Sequence, residues 1–314
     1  MHTPKVEDLP AADPIIPLPG TQLTGLSLGI DVGGTGVKAA LVDLATAQLV
    51  SPRVRDRTPK PSTPEAVTDT IRRVVEMILE GRADAPADLP VGCGLPGVVK
   101  NGRLQTAANI DPGWVGWPAE ERIGGAVDHR TWIVNDADAA GLAEVAYGAG
   151  KGQRGVVLLL TIGTGIGSGL FVDGMLVPNT ELGHLEFHGK DAETRVSGAA
   201  RERRHTSWRT WGREFNDYLA RVEKYLWPDL IILGGGVSKE DPKFAQHLQT
   251  RARLATAAYL NTSGIIGAAY AAAAAAAAAQ DRPHDTPTDA PSTLDGTLGQ
   301  VGQGDDGDDE GDEA

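Results

Sequence analysis

The 314-residue chain has a single cysteine, Cys93. That excludes any disulfide within the chain and any metal site built from several thiolates. Inside Val91-Gly-Cys-Gly-Leu95 a lone cysteine reads as a small core residue. The sequence also shows no apolar run approaching the roughly 20 residues that span a bilayer, and its first residues lack the charged-then-apolar layout of a signal peptide. A cytoplasmic protein with no membrane partner is the expectation. Positive charge is scarce as well: 29 lysines and arginines face 42 aspartates and glutamates, for a formal net charge of −13. Such a balance argues against nucleic acid as a general partner. Residues 1–24 carry five prolines and no periodicity, so they read as a flexible arm, too short for a helix-turn-helix domain. From residue 280 onward the composition turns to Pro, Thr, Gly and Asp and ends Gly304-Asp-Asp-Gly-Asp-Asp-Glu-Gly-Asp-Glu-Ala314, which is expected to be a disordered acidic tail.

What lies between is ordinary globular sequence, 41% hydrophobic over the whole chain, enough for two cores. Its organising stretch is Leu26-Ser-Leu-Gly-Ile-Asp-Val-Gly-Gly-Thr-Gly-Val-Lys-Ala-Ala-Leu-Val-Asp43. One apolar strand runs into Gly33-Gly34-Thr35-Gly36 and another leaves it, so the glycines are expected in a hairpin turn where positive φ is cheap. Backbone N–H groups without flanking Cβ atoms suit phosphate oxygens. Thr35 adds a hydroxyl, Lys38 a cation, and Asp31 a carboxylate able to hold Mg2+ directly or through water. Walker A and dinucleotide loops open helices, whereas these glycines sit between strands. A plain tight hairpin is the alternative. The design recurs at Gly155-Val-Val-Leu-Leu-Leu-Thr-Ile-Gly-Thr-Gly-Ile-Gly-Ser-Gly-Leu-Phe-Val-Asp173, with Thr161, Gly163, Thr164 and Gly165 at its turn. A repeat implies a chain built as two similar halves, and two such hairpins facing one cleft would clamp a phosphoryl donor.

Along the rest of the chain, Pro64-Glu65 opens an amphipathic helix with Val67, Ile71, Val74, Val75, Ile78 and Leu79 on its apolar face. A strand over 89–99 is broken by Gly94-Leu-Pro-Gly97. The strand Thr131-Trp-Ile-Val-Asn-Asp136 leads into a helix over 137–147, and a carboxylate at that junction is either an N-cap or a reactive group; Asp138 is the expected capping acid. Glu181-Leu-Gly-His184 places a carboxylate and an imidazole three apart beside a glycine, two groups able to hydrogen-bond one polar ligand. Thr194 to Arg213 is basic, with Arg195, Arg201, Arg203, Arg204, Arg209 and Arg213 interleaved with Trp208 and Trp211; a solvated helix face is the plain reading. A buried strand precedes the turn Gly234-Gly235-Gly236, and an alanine-rich helix is expected over 263–279.

The duplicated hairpins resemble the sugar kinase, actin and Hsp70 superfamily, and Asp-Val-Gly-Gly-Thr resembles its ROK branch of sugar kinases and sugar-responsive repressors. Asn135-Asp136, Glu181-x-Gly-His184 and the three glycine turns follow in the family's order. The resemblance implies a two-domain, actin-like (ribonuclease H-like) α/β fold with a cleft between domains at 25–136 and 137–262, closed by the 263–279 helix. It implies Asp136 as general base and Asn109, Asn135, Glu181, His184 and Glu193 as sugar ligands. The donor would be held by Asp31, Gly33, Gly34, Thr35, Lys38, Thr161, Gly163, Thr164, Gly165 and Gly234 to Gly236, with Mg2+ and a homodimeric assembly. The family's zinc loop is absent, so no zinc site is expected and His184 cannot belong to one. That absence, the Glu181 to Glu193 segment and the arginines are similar to the actinobacterial polyphosphate glucokinases. The implied activity is transfer of a phosphoryl group from polyphosphate or ATP to glucose, with Arg201, Arg203, Arg204 and Arg209 as a polyphosphate track. An ATP-only hexose or hexosamine kinase, or a non-catalytic sugar-responsive regulator, are the alternatives.

Overall fold

In the first hairpin, β1 (Leu26–Gly33) and β2 (Gly36–Asp43) pair with Val32 opposite Val37 and Gly33 opposite Gly36. The structure is a computed structural model that describes residues 23–107 and 110–280. Asn109, the acidic tail past Gln280 and nearly all of the N-terminal arm lie outside the described residues. β3 (Gln48–Leu49) and β4 (Val54–Asp56) both pair with β2. Then follow α1 (Pro64–Leu79), β5 (Val91–Leu95), the ribbon of β6 (Val99–Lys100) and β7 (Arg103–Leu104), α2 (Ala119–Val127) and β8 (Thr131–Asn135). The sheet order is β3-β2-β1-β5-β8, with β5 and β8 parallel to β1.

After α3 (Asp136–Ala146) the plan repeats with β9 (Val156–Ile162), β10 (Ile166–Val172) and β11 (Met175–Val177). A small ribbon of β12 (Glu186–Phe187) and β13 (Lys190–Asp191) leads into α4 (Glu193–Val196), α5 (Gly198–Arg203) and α6 (Trp208–Leu226). β14 (Leu230–Gly234), α7 (Asp241–Phe244), β15 (Arg253–Thr256) and α8 (Ser263–Gln280) complete the chain. The second sheet runs β11-β10-β9-β14-β15, again with the last two parallel to the hairpin's first strand. Each half is therefore an antiparallel hairpin extended on one side by a short third strand and on the other by two parallel strands.

Each sheet buries one face against a helix. α1 starts where Thr63 accepts from the Ala66 N–H and Pro64 takes the first helical position, where a missing N–H costs nothing. Its Val67, Ile71, Val74, Val75 and Ile78 recur at helical spacing and are buried with Leu28, Ile30 and Leu41 of the first sheet. α6 does the same for the second sheet, burying Trp211, Phe215, Tyr218, Leu219 and Val222 against Leu158, Leu160, Ile231 and Leu233.

α8 crosses between the halves. A Cβ at Gly29 of β1 or Gly92 of β5 would strike its main chain at Ile265 and Ala268, and one on its own Gly267 would strike Ala139 of α3. Small residues on every side let β1, β5 and α3 each meet α8 backbone to backbone. By length and composition residues 260–280 match a membrane span, with mean hydropathy 1.4 over the most apolar window. This corrects the expectation that the chain holds no such run. In the fold 67% of that window is buried, so its apolarity is explained by contact with protein on both sides.

Candidate active site

The N-terminus of α3 is where the two halves meet. A Cβ on Gly94 of β5 would touch the Asp136 Cα at 3.6 Å, and one on Gly167 of β10 would crowd the Ala137 Cβ at 2.7 Å. Asn135 caps this helix: its Oδ1 accepts from the N–H groups of Ala137 (2.9 Å) and Asp138 (3.0 Å), and its Nδ2 donates to Gly97 O (3.0 Å). The capping acid expected at Asp138 is therefore not the cap. Asn135 has the extended backbone that a cap needs, φ −60° and ψ 142°, whereas Asp138 is already helical and points into the protein, 1% exposed, its Oδ2 accepting from the Asn179 N–H at 2.7 Å. Toward a sugar, Asn135 keeps one Nδ2 hydrogen, since both lone pairs of its oxygen are used.

Asp136 follows, its Oδ1 accepting the Ala137 N–H at 2.9 Å. The residue is half-buried. Burial first, then the charge of Asp31 and that of Glu181, push its pKa up to about 7. Asp31 lies opposite Lys38 in the hairpin register, and their side chains form an ion pair of 2.7 Å. Lys38 is thus engaged by Asp31, where the sequence suggested a cation free for phosphate.

The sugar-side residues come from the second half. His184 Nδ1 lies 2.9 Å from Asp191 Oδ2, and its Nε2 lies 3.8 Å from Glu181 Oε2. The Asp191 bond, reinforced by Glu193 and Glu181, raises the His184 pKa, while burial raises that of Glu181. Glu193 opens α4, and its Oε2 accepts the Ile166 N–H at 3.2 Å. Asn135, Asp136, Asp31, Glu181, His184 and Glu193 are thereby brought into one electrostatically linked group. Sequence reading missed two supports. Asp191 reaches His184 only through the β12–β13 ribbon. Asn179 holds Val99 from both sides, accepting its N–H at 2.7 Å and donating to its O at 2.8 Å.

The glycine turns are built differently from expectation. None of Gly33, Gly34, Gly36, Gly163 or Gly165 adopts positive φ. Space is what they supply: a Cβ on Gly36 would sit 2.7 Å from Arg55 Nε, one on Gly165 would strike the Glu193 carboxylate, and Gly163 has nothing within 4 Å of that position. Only the third turn bends through positive φ, at Gly235 (76°), where a Cβ would also strike the main chain of Ile162. Gly234 pairs with Thr161, so this turn abuts the second hairpin, with Gly236 open beside it. Thr35 and Thr164 are exposed at the two tips.

The arginine segment starts on the second hairpin, where Ala199 N donates to Gly163 O (3.1 Å). It is more engaged than its sequence implied. Glu214 of α6 accepts from Nη1 and Nη2 of Arg204 and from Arg195, all at 2.8 Å. Arg203 donates to Thr194 O (3.2 Å), and the Arg201 guanidinium stacks 3.6 Å over the Trp208 ring. Arg209 is exposed. The expected track residue Arg204 is thus occupied by an acid 10 positions on.

Among the described residues no group of three or more His, Cys, Asp or Glu side chains is placed to hold a metal ion. Cys93 is fully buried in β5, and burial pushes its thiol pKa far up. Asp31 offers one carboxylate beside the donor turns, which fits Mg2+, an ion that commonly takes one or two carboxylates and completes its shell with phosphates and water.

Comparison with known proteins agrees with this arrangement. The ROK family model matches residues 27–198. A polyphosphate glucokinase of Mycobacterium tuberculosis is 45% identical over 255 residues, 81% of this chain and 93% of its own. The inorganic polyphosphate/ATP-glucomannokinase of an Arthrobacter strain superposes with a TM-score of 0.76 at 42% identity, covering 82% of this chain and all of that one. A ROK glucokinase of Streptomyces griseus, solved with glucose and AMPPNP, gives 0.68 at 26% identity over 79% of this chain and 99% of its own. The duplicated α/β plan is the two-domain, actin-like fold of those kinases, and the chain belongs to the ROK family.

Proposed function

We propose that this chain transfers the terminal phosphoryl group of inorganic polyphosphate or ATP to the 6-hydroxyl of glucose, giving glucose 6-phosphate. The observation that carries the reading is Asp136: a half-buried carboxylate with a pKa of about 7, at the junction of two glycine hairpins and within the field of Asp31 and Glu181. A general base works best with a pKa near the working pH, and this one is tuned there by burial and like charge. The polyphosphate glucokinase and polyphosphate/ATP-glucomannokinase relatives support the choice of donor and acceptor.

In this reading the sugar lies against Glu181, His184, Glu193, the remaining Asn135 N–H and Asn109, with the 6-hydroxyl toward Asp136. Asp136 takes the hydroxyl proton as the oxygen attacks the terminal phosphorus, and the shortened donor leaves in line. Phosphoryl transfer asks mainly for positioning and for charge stabilisation. The hairpins at Gly33 to Thr35 and Gly163 to Gly165, with Gly234 to Gly236, supply backbone donors to the phosphates. Asp31 would hold Mg2+, which neutralises phosphate charge, and Lys38, released from the ion pair, would turn to the donor. His184, its pKa raised first by the Asp191 bond, offers a ring nitrogen to a sugar oxygen. Arg209, exposed on α6, and Arg201 and Arg203, which carry no ion pair among the described residues, would be the part of the arginine segment left to meet a long donor. A cytoplasmic homodimer, divided at 25–136 and 137–262, completes the reading.

The test is glucose 6-phosphate formation with long-chain polyphosphate alone and with ATP alone. Product from both donors is expected. Product from ATP only would make this an ATP-dependent hexose kinase, and none from either would leave a sugar-binding regulator.

A further inference from the structure

The first half carries a second row of basic side chains that this reading does not use. In the sheet register Asp31 of β1 lies opposite Lys38 of β2, and Lys38 lies opposite Arg55 of β4. Directly paired residues share a face of a sheet, so Asp31, Lys38 and Arg55 form one row across three strands. Asp31 is the end of that row nearest Asp136, so the row lies on the active-site face. Two strand spacings put Arg55 about 10 Å from Asp31.

Successive residues of a strand alternate in direction. Arg53, Arg55 and Arg57 are exposed, while Val54 and Asp56 between them are half-buried. The opposite face belongs to α1, whose Arg73 holds Asp56 by a bond of 3.0 Å. Arg55 lies in β4 and Arg53 and Arg57 flank its two ends, so three exposed arginines at alternate positions line the outer edge of the first sheet, their backbones about 6.6 Å apart at the extended-strand repeat. Arg55 reaches the hairpin tip itself, where its Nη2 donates to Thr35 O at 3.3 Å. The missing Cβ of Gly36 leaves the room for its Nε. No acid is paired with Arg53, Arg55 or Arg57 among the ion pairs of the described residues.

The overall charge does not oppose an anion here. From residue 281 on the sequence holds eleven acids and one arginine, so ten of the thirteen net negative charges lie in that segment. The body of the chain is close to neutral, and its local basic rows set the field that a ligand meets.

We infer that Arg53, Arg55 and Arg57 form a subsite for the distal phosphates of a linear polyphosphate, which leaves the first hairpin past Thr35 and runs along the β4 edge. The inference rests on the proposed use of polyphosphate and names where the chain lies. Each arginine fork can grip two oxygens of one unit. A nucleotide triphosphate ends in a nucleoside and carries no phosphate that far out. The row is also independent of the arginines on α5 and α6, which belong to the other half.

The experiment compares Arg53→Gln/Arg55→Gln/Arg57→Gln with the wild type in the full chain, measuring KM for long-chain polyphosphate and for ATP. Three exposed charged contacts together should raise the polyphosphate KM by about fivefold to tenfold more than the ATP KM. The polyphosphate KM of the variant should also rise less steeply with added potassium chloride than that of the wild type. Replacing all three by lysine should recover at least half of the loss, which separates charge from damage to the fold. If the wild type uses polyphosphate and the Gln variant keeps the same ratio of KM values, the track is elsewhere. Parallel rises for both donors would assign Arg55 to the shared hairpin and overturn the subsite. A folded Lys variant as weak as the Gln variant would do the same. A wild type inactive with polyphosphate would instead defeat the parent reading.

Discussion

Asn179 grips Val99 with both ends of its amide, taking its N–H at 2.7 Å and giving to its carbonyl at 2.8 Å. Val99 belongs to the ribbon of the first half, and Asn179 precedes the loop that carries Glu181. The backbone N–H of Asn179 meanwhile goes to Asp138, two residues past Asp136. One residue, through its side chain and its backbone N–H, thus ties the sugar loop both to the ribbon of the first half and to the helix that presents Asp136.

Asn179→Ala should accordingly cost about 1–3 kcal/mol of stability, because two partly buried backbone groups lose their partners. Alanine is also strained at the left-handed φ of 62° that Asn179 adopts. KM for glucose should rise more than KM for the donor, since Glu181 is two residues away. Chemical denaturation and initial rates check both; a loss under 0.5 kcal/mol with an unchanged glucose KM would remove Asn179 from this role.

Asp136→Asn should lower kcat by about 10²- to 10⁴-fold while glucose binding stays within a few-fold, because the amide keeps the shape and cannot take the proton. In the wild type the base acts when ionised. With its pKa at about 7, kcat/KM should fall as the pH drops below 7 and level off above it. Asp31→Asn removes a charge that raises this pKa, so whatever activity it retains should show its acid limb at lower pH. A limb that does not move would mean that another group titrates.

Arg204→Gln tests the arginine segment as structure. Glu214, its side chain 14% exposed, would lose two of its three charge-assisted bonds, for about 1–2 kcal/mol. The Glu214 pKa is lowered, first by Arg204, so this stabilisation is present above the ordinary carboxylate pKa and is lost as the pH falls through the lowered one. The gap in Tm between variant and wild type should therefore narrow below pH 4.5, the ordinary glutamate pKa. A gap independent of pH would mean that packing is what the substitution disturbs.

The local order of the chain determined much of this. Alternating apolar strands around Gly33 to Gly36 and Gly163 to Gly165 specified both hairpins, and their likeness announced the duplication, because period and turn chemistry are local properties. Pro64 and the apolar residues after it specified α1 for the same reason. Tertiary structure decided what depends on partners far away in sequence. Asp138 lost the cap to Asn135 because its side chain is turned into the core. Lys38 and Arg204 are engaged by acids that folding delivers, Asp31 across a strand pair and Glu214 from the next helix, and no count of charges along a segment shows that. Glycines that local reasoning assigned to positive φ proved to be there for room, against Arg55 and Glu193. The pKa of Asp136 and the row from Asp31 through Lys38 to Arg55 exist only once strands pair in register, since burial and proximity of like or unlike charge are properties of the packed chain.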